Sequence, residues 1–132
     1  MSKGRYEMSG NRYVLDTNAI VVLLQGNAQL IQLLQNADWA GISVISQIEF
    51  LVFSGLTQAD RQLFQQFLQR VQVINLTAVN TMLIEKIIEI RQQYHLKLPD
   101  AVIAAMAIQN SANLVSADQE FAKVTILKLI NW

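Results

Sequence analysis

Tyr13-Val14-Leu15-Asp16-Thr17-Asn18, residues 13–18, opens with a short β-prone run, 13–15, that stops abruptly at an acid, Asp16. Beyond it, residues 28–37 carry Leu30, Ile31, Leu33 and Leu34 at helical spacing, so the opening unit reads as strand then helix. Gly41-Ile42-Ser43-Val44 reads as a second strand. Ser46 followed by Glu49 has the spacing of a capping box, which sets Glu49 in the first turn of the next helix. Residues 59–70 repeat Leu63, Phe64, Phe67 and Leu68 at helical spacing and lead into a β-branched run at 71–76. Thr77 is the expected cap of a long amphipathic helix bearing Met82, Leu83, Ile87, Ile88, Ile90 and Tyr94, and Pro99 suits the first position of a nearly all-apolar helix over 98–110. Two short strand candidates, 113–116 and 125–130, complete the series. Strand and helix alternate and hairpin signals are few, so the expected class is α/β, with about five mostly parallel strands flanked by helices.

The length, 132 residues, suits one domain. A polar segment, 1–12, is expected to precede a single domain over 13–132. Hydrophobic residues make up 52% of the chain and charged residues 15%; an average near about 25% charged makes this composition incompatible with disorder and suggestive of a crowded core or an apolar interface. The stretches Ala19–Leu24 and Phe50–Phe53, with Trp39, supply more apolar surface than a small interior absorbs, and a protein partner is expected there. Ten basic residues balance ten acidic ones, which removes the long-range field of an indiscriminate nucleic-acid or membrane binder. The absence of cysteine rules out disulfides, a thiolate nucleophile and cysteine-bound metal. The longest apolar run, Ala101–Ile108, has eight residues, well short of the roughly 20 of a membrane span. Neither secretion nor insertion is supported, and a reducing cytoplasm is the expected compartment.

Four of the ten acids stand where apolar sequence meets an element boundary: Asp16, Glu49, Asp100 and Asp118. In open α/β sheets, ligands bind beyond the carboxyl ends of the strands, where these acids fall. Each alone has an ordinary explanation, because a carboxylate at a helix N-terminus gains from capping and from the macrodipole. Convergence is different, since ionised carboxylates about 4 Å apart repel by about 4 kcal/mol per pair at an effective dielectric near 20. A hard divalent cation relieves that repulsion, and oxygen-only ligands suit Mg²⁺ or Mn²⁺.

The order Tyr13-Val14-Leu15-Asp16-Thr17-Asn18, Ile48-Glu49, Leu98-Pro99-Asp100-Ala101-Val102-Ile103-Ala104-Ala105 and Leu114-Val115-Ser116-Ala117-Asp118 resembles a PIN-domain ribonuclease of the VapC toxin type, from about Tyr13 to the C-terminus. The resemblance implies a three-layer fold with sheet order 3-2-1-4-5 and the acids Asp16, Glu49, Asp100 and Asp118 around Mg²⁺ or Mn²⁺. It assigns Thr17, Asn18 and Ser116 to supporting or substrate contacts and matches Arg91 to a commonly basic position. Two residues depart from the pattern: His95 stands where a small turn residue is frequent, and Met106 where Thr or Ala is common.

The implied activity is metal-dependent endonucleolytic cleavage of RNA to 3′-hydroxyl and 5′-phosphate ends, with structured RNA such as tRNA or rRNA as the usual family substrates. The implied partners are an antitoxin protein and a second copy of the chain. His95, the only histidine, reads as a solvated turn residue, and Arg12, Lys97 and Lys123 lie near the expected ends of acid-bearing elements, where RNA phosphates could meet them. Two other readings share the architecture. A Mg²⁺-dependent phosphoacceptor domain is poorly matched, having Asn75 after the third strand and Asn18 where an acid is required. A non-catalytic PIN scaffold that only binds a partner has no need of the intact acids.

Overall fold

Tyr13 and Val14 lie at the centre of a sheet, paired on both sides, and Leu15 pairs with Val115. In the computed structural model, which describes residues 10–132, the strands are β1 (Arg12–Leu15), β2 (Trp39–Ser43), β3 (Gln72–Ile74), β4 (Asn113–Val115) and β5 (Leu129–Ile130). They form one sheet in the order β3-β2-β1-β4-β5, with Val14 opposite both Gly41 and Leu114. Each of these pairings is parallel, so the expected strand order holds. A parallel sheet needs helical crossovers that cover both faces. These are α1 (Thr17–Leu24), α2 (Ala28–Gln35), α3 (Val44–Leu51), α4 (Gln58–Leu68), α5 (Thr81–Tyr94) and α6 (Leu98–Gln109), with a 3₁₀ turn at Gln119–Lys123.

Side-chain alternation along β1 divides the interior in two. Val14 packs with Ile74, Leu114 and the apolar faces of α5 and α6, whereas Leu15 packs with Ile42, Val115 and residues of α1, α2 and α4. Helix α6 lies between α5 and the sheet, and every residue from Ala101 to Ala107 is buried, which is why its sequence is apolar all round rather than amphipathic. Met106 is part of that buried wall. On the other face, Phe50 of α3 stacks on Phe64 of α4 with ring centroids 4.3 Å apart.

Several local expectations change. The apolar run 19–24, read as surplus apolar surface, lies in α1; its β-branched Ile20, Val21 and Val22 weaken a helical reading, but the Asp16 cap and burial of Ala19, Ile20 and Leu23 decide it. Ser43, not Ser46, caps α3, its hydroxyl accepting from the Ile45 amide, so Glu49 stands beyond the first turn and there is no capping box. The capping box instead joins Thr57 and Asp60 on α4. Asn80 replaces Thr77 as the cap of α5, and Pro99 is the second residue of α6 rather than the first. The expected strand over 125–130 shrinks to Leu129–Ile130. Of the expected polar segment 1–12, residues 1–9 lie outside the described residues and Arg12 opens β1.

Arg12 also stands at the edge of the sheet away from Asp16. Its guanidinium lies 4.5 Å from the centre of the Trp39 ring, and its Nε donates to the Asn110 carbonyl. Trp39 in turn lies across Gly41, where an added Cβ would meet the ring at 2.6 Å, and its Nε1 donates to Gln72.

His95 ends α5 in the left-handed conformation, at φ 57° and ψ 35°, which explains why a small turn residue is usual there. A side chain with a Cβ costs roughly 1 kcal/mol in that region, part of which glycine returns through its freer unfolded chain. His95→Gly should therefore raise stability by about 0.5 kcal/mol, read as a higher urea midpoint at unchanged slope. A lower midpoint would mean that the imidazole makes contacts outweighing the backbone strain.

Candidate functional site

Asp16 is the last residue before β1 becomes α1, and it is only 6% exposed. Its Oδ1 accepts from the Thr17 amide at 2.8 Å, and its Oδ2 accepts from the Ser116 hydroxyl at 2.8 Å and from Asn18 Nδ2 at 3.3 Å. Its own amide donates to the Val115 carbonyl. Burial raises its pKa above the usual carboxylate value, the hydrogen bonds from Ser116 and Thr17 oppose that rise, and the charges of Glu49 and Asp118 add to it.

Asn18 uses both ends of its amide. Oδ1 accepts from the Ala117 amide at 3.1 Å, while Nδ2 reaches Asp16 and, at 3.3 Å, the Ser116 hydroxyl. Ser116 Oγ also accepts from the Asp118 amide, and Asp118 caps the 3₁₀ turn by accepting from the Glu120 amide. Asn18 and Ser116 thus tie the ends of β1 and β4 together. Glu49 reaches the same edge from α3, exposed to solvent, and accepts a 2.6 Å hydrogen bond from the Thr17 hydroxyl. Asp100 stands in the first turn of α6, which leads into β4 and so begins at that edge. Arg91 is engaged elsewhere: its Nη1 donates to the Leu96 carbonyl at 2.6 Å, closing the turn between α5 and α6.

Asp100 makes the electrostatic connection among the four acids visible. Its pKa is pushed up to about 6, first by burial and then by the charges of Asp16, Asp118 and Glu49, with Lys97 opposing. Among the described residues, however, no three acidic or histidine side chains are gathered tightly enough to hold a metal ion as they stand. The acids share one edge and one field without the close approach expected from sequence. Their donor set is carboxylate oxygen alone, and their mutual repulsion is what a cation neutralises, so in chemistry and charge they suit a hard divalent ion.

Two further features border this edge. The Ser46 hydroxyl, one helical turn before Glu49, is fully buried with no hydrogen-bond partner among the described residues. A cleft of about 300 Å³ opens beside Thr17 and Glu49 and is lined by Val21, Leu24, Phe50, Phe53 and Leu63. The apolar stretches 19–24 and 50–53 meet in this cleft, although Ala19, Ile20, Leu23 and Phe50 belong to the core.

Residues 13–127 match the PIN domain family. This chain belongs to the PIN-domain family. PIN domains are generally nucleases. No curated protein matches this PIN domain in sequence. Among solved structures it is similar to a chain of a toxin-antitoxin complex from Klebsiella pneumoniae, at 28% identity and a TM-score of 0.73 over 89% of this chain and 95% of that one. It shares its fold with a chain of VapBC2 from Rickettsia felis, a structure bound to a DNA fragment from its promoter, at 24% identity and a TM-score of 0.74 over 92% and 98% of the two chains. A chain of VapBC-1 from nontypeable Haemophilus influenzae gives 23% identity and a TM-score of 0.67 over 92% and 98%. No helix among the described residues of the PIN domain is long and apolar enough to cross a membrane.

The raised pKa of Asp100 sets a pH dependence for the metal-free protein. Because the folded carboxyl holds its proton up to about pH 6 while the unfolded one releases it near 3.8, stability falls as pH rises through that window. Asp100 is only partly buried, so solvent screening discounts the loss to about 1 kcal/mol. Asp100→Asn should flatten this decline and leave the protein more stable than the original at pH 7 in EDTA, read by urea unfolding across pH. If the aspartate served only as a first-turn residue favoured by the helix dipole, the asparagine variant would instead be the less stable one.

Proposed function

We propose that this PIN domain is the toxin of a VapC-type toxin-antitoxin pair, a Mg²⁺- or Mn²⁺-dependent endoribonuclease that leaves 3′-hydroxyl and 5′-phosphate ends and acts in the cytoplasm on structured RNA such as tRNA or rRNA. The observation that carries this reading is the shared field of Asp16, Glu49, Asp100 and Asp118 at the carboxyl edge of the sheet. These four are the residues that would hold the cation. When bound, it supplies a water of lowered pKa and positive charge for the departing 3′-oxygen.

The remaining work falls to the chain. Asp16 is the fixed member, since three hydrogen bonds and burial leave its carboxylate one orientation. Thr17 directs Glu49 toward the edge, and Asn18 and Ser116 keep Asp118 in register with Asp16. With the amide of Asn18 fully engaged, its role is to hold the site together rather than to read RNA. Asp100 feels the charges of Asp16, Asp118 and Glu49, the repulsion that a bound cation would relieve. Arg91 shapes the turn that presents Asp100.

Purified protein should cleave RNA with Mg²⁺ or Mn²⁺ and not in excess EDTA. Asp16→Ala and Asp100→Ala should each lower cleavage by at least about a hundredfold with an unchanged circular-dichroism spectrum. Cleavage that survives EDTA would reject the metal mechanism, and a fully active variant would remove its residue from the site.

The apolar cleft beside Glu49 supports an antitoxin partner. An amphipathic helix laid into a hydrophobic groove would cover Val21, Leu24 and Phe53 and block approach to the acids. Exposed Val52, Phe53 and Met82, at 72%, 64% and 75%, further support burial against a second copy. Co-expression with the protein encoded immediately upstream should give a soluble complex with suppressed cleavage, and light scattering should find the toxin as a homodimer. A monomer that captures nothing from that co-expression would remove both partners.

A further inference from the structure

Three cations stand near acid-bearing elements in the sequence, and the structure separates them. Arg12 lies at the opposite edge of the sheet, over Trp39. Lys123 is taken up by Glu120, with Nζ and Oε1 2.6 Å apart. Lys97 is different: it is exposed, forms no salt bridge or side-chain hydrogen bond among the described residues, and stands three positions before Asp100 at the mouth of the acidic edge.

Its position is also a poor one for lysine. Lys97 is the N-cap of α6, where Ser, Thr, Asp or Asn would accept from the helix amides. A lysine there can only donate, and it adds positive charge to the positive end of the helix dipole. The other long helices of this chain follow the rule, with Asp16, Asn27, Ser43, Thr57 and Asn80 each accepting a cap hydrogen bond. A local rule broken at one helix, beside the site, is what function rather than folding explains. Lys97 exerts an opposing charge on Asp100, which places its ammonium within electrostatic reach of the acids.

We propose that Lys97 is the residue that grips a phosphate of the RNA strand next to the scissile bond, holding the polyanion against an edge that would otherwise repel it. This rests on the nuclease reading above. A point charge of this kind binds phosphate without reading sequence, so its contribution is uniform across RNAs and strongly salt-dependent.

The test measures binding of a fluorescein-labelled single-stranded oligouridylate by anisotropy in Ca²⁺, across a series of salt concentrations, for the original protein, Lys97→Ser, Lys97→Arg and Lys123→Ser. Lys97→Ser should lose about three- to tenfold in affinity at low salt, and its plot of log affinity against log salt should be shallower by about 0.7, the slope of one phosphate contact on a single strand. Lys97→Arg should restore both. Because serine is a good N-cap, Lys97→Ser should also melt at the same or a higher temperature, which separates lost binding from lost folding. Lys123→Ser removes the same charge from an ion-paired position and should bind as the original does. Equal salt slopes for the original and Lys97→Ser, an equal effect of Lys123→Ser, or no binding by the original would each overturn the assignment. Metal-dependent cleavage of RNA that persists alongside any of those outcomes leaves the nuclease reading intact, whereas its absence from the original protein counts against that reading itself.

Discussion

A carboxylate kept at the buried end of the central strand governs this molecule. Removing an ion from water costs several kcal/mol even after relaxation, while a hydrogen bond to a charged group returns about 1.5–3 kcal/mol. Asp16 receives three, from Thr17, Asn18 and Ser116, yet burial together with the charges of Glu49 and Asp118 keeps its pKa raised. The chain therefore holds Asp16 in place at a cost in stability, a balance common where function is built. Everything at that edge is arranged around it: Thr17 turns to Glu49, and Ser116 turns to the backbone of Asp118.

The opposite edge of the sheet has another character. There Trp39 lies over Gly41 and is held by the cation-π contact with Arg12 and the hydrogen bond to Gln72, while Arg12 donates to Asn110, with no accumulation of like charge among the described residues. Stability is concentrated at one end of the strands and electrostatic tension at the other. The two cores on either face of β1 connect these ends, so that the acids are carried on elements rigidified by packing far from them.

Much of this was legible because its signals are local and large. A β-prone run ending in Asp16, a wholly apolar segment after Pro99 and the alternation of periodicities point to an α/β fold of about five mostly parallel strands and to the elements bearing all four acids, whereas the strand order follows only from the resemblance to PIN domains. What escaped depends on competition between weak local signals. Ser46 has better capping-box spacing than Ser43, yet β2 ends one residue before α3 begins and leaves the cap to Ser43. The β-branched residues of 20–22 obscured α1, whose helical state is decided by burial against the sheet. The spacing of the acids was not readable either, because side-chain approach depends on hydrogen bonds such as Thr17 to Glu49, formed between residues 32 positions apart.

The clamp between Asp16 and Ser116 joins residues 100 positions apart. β1 cannot acquire its β4 neighbour until nearly the whole chain is present. Long-range parallel pairing of this kind forms late and slowly, because loop closure must precede any reward from contact. A chain emerging from its N-terminus thus carries Asp16, Thr17 and Glu49 early, but without Ser116, which fixes Asp16 to the end of β4. The edge that carries the acids comes into being only when the protein is all but finished.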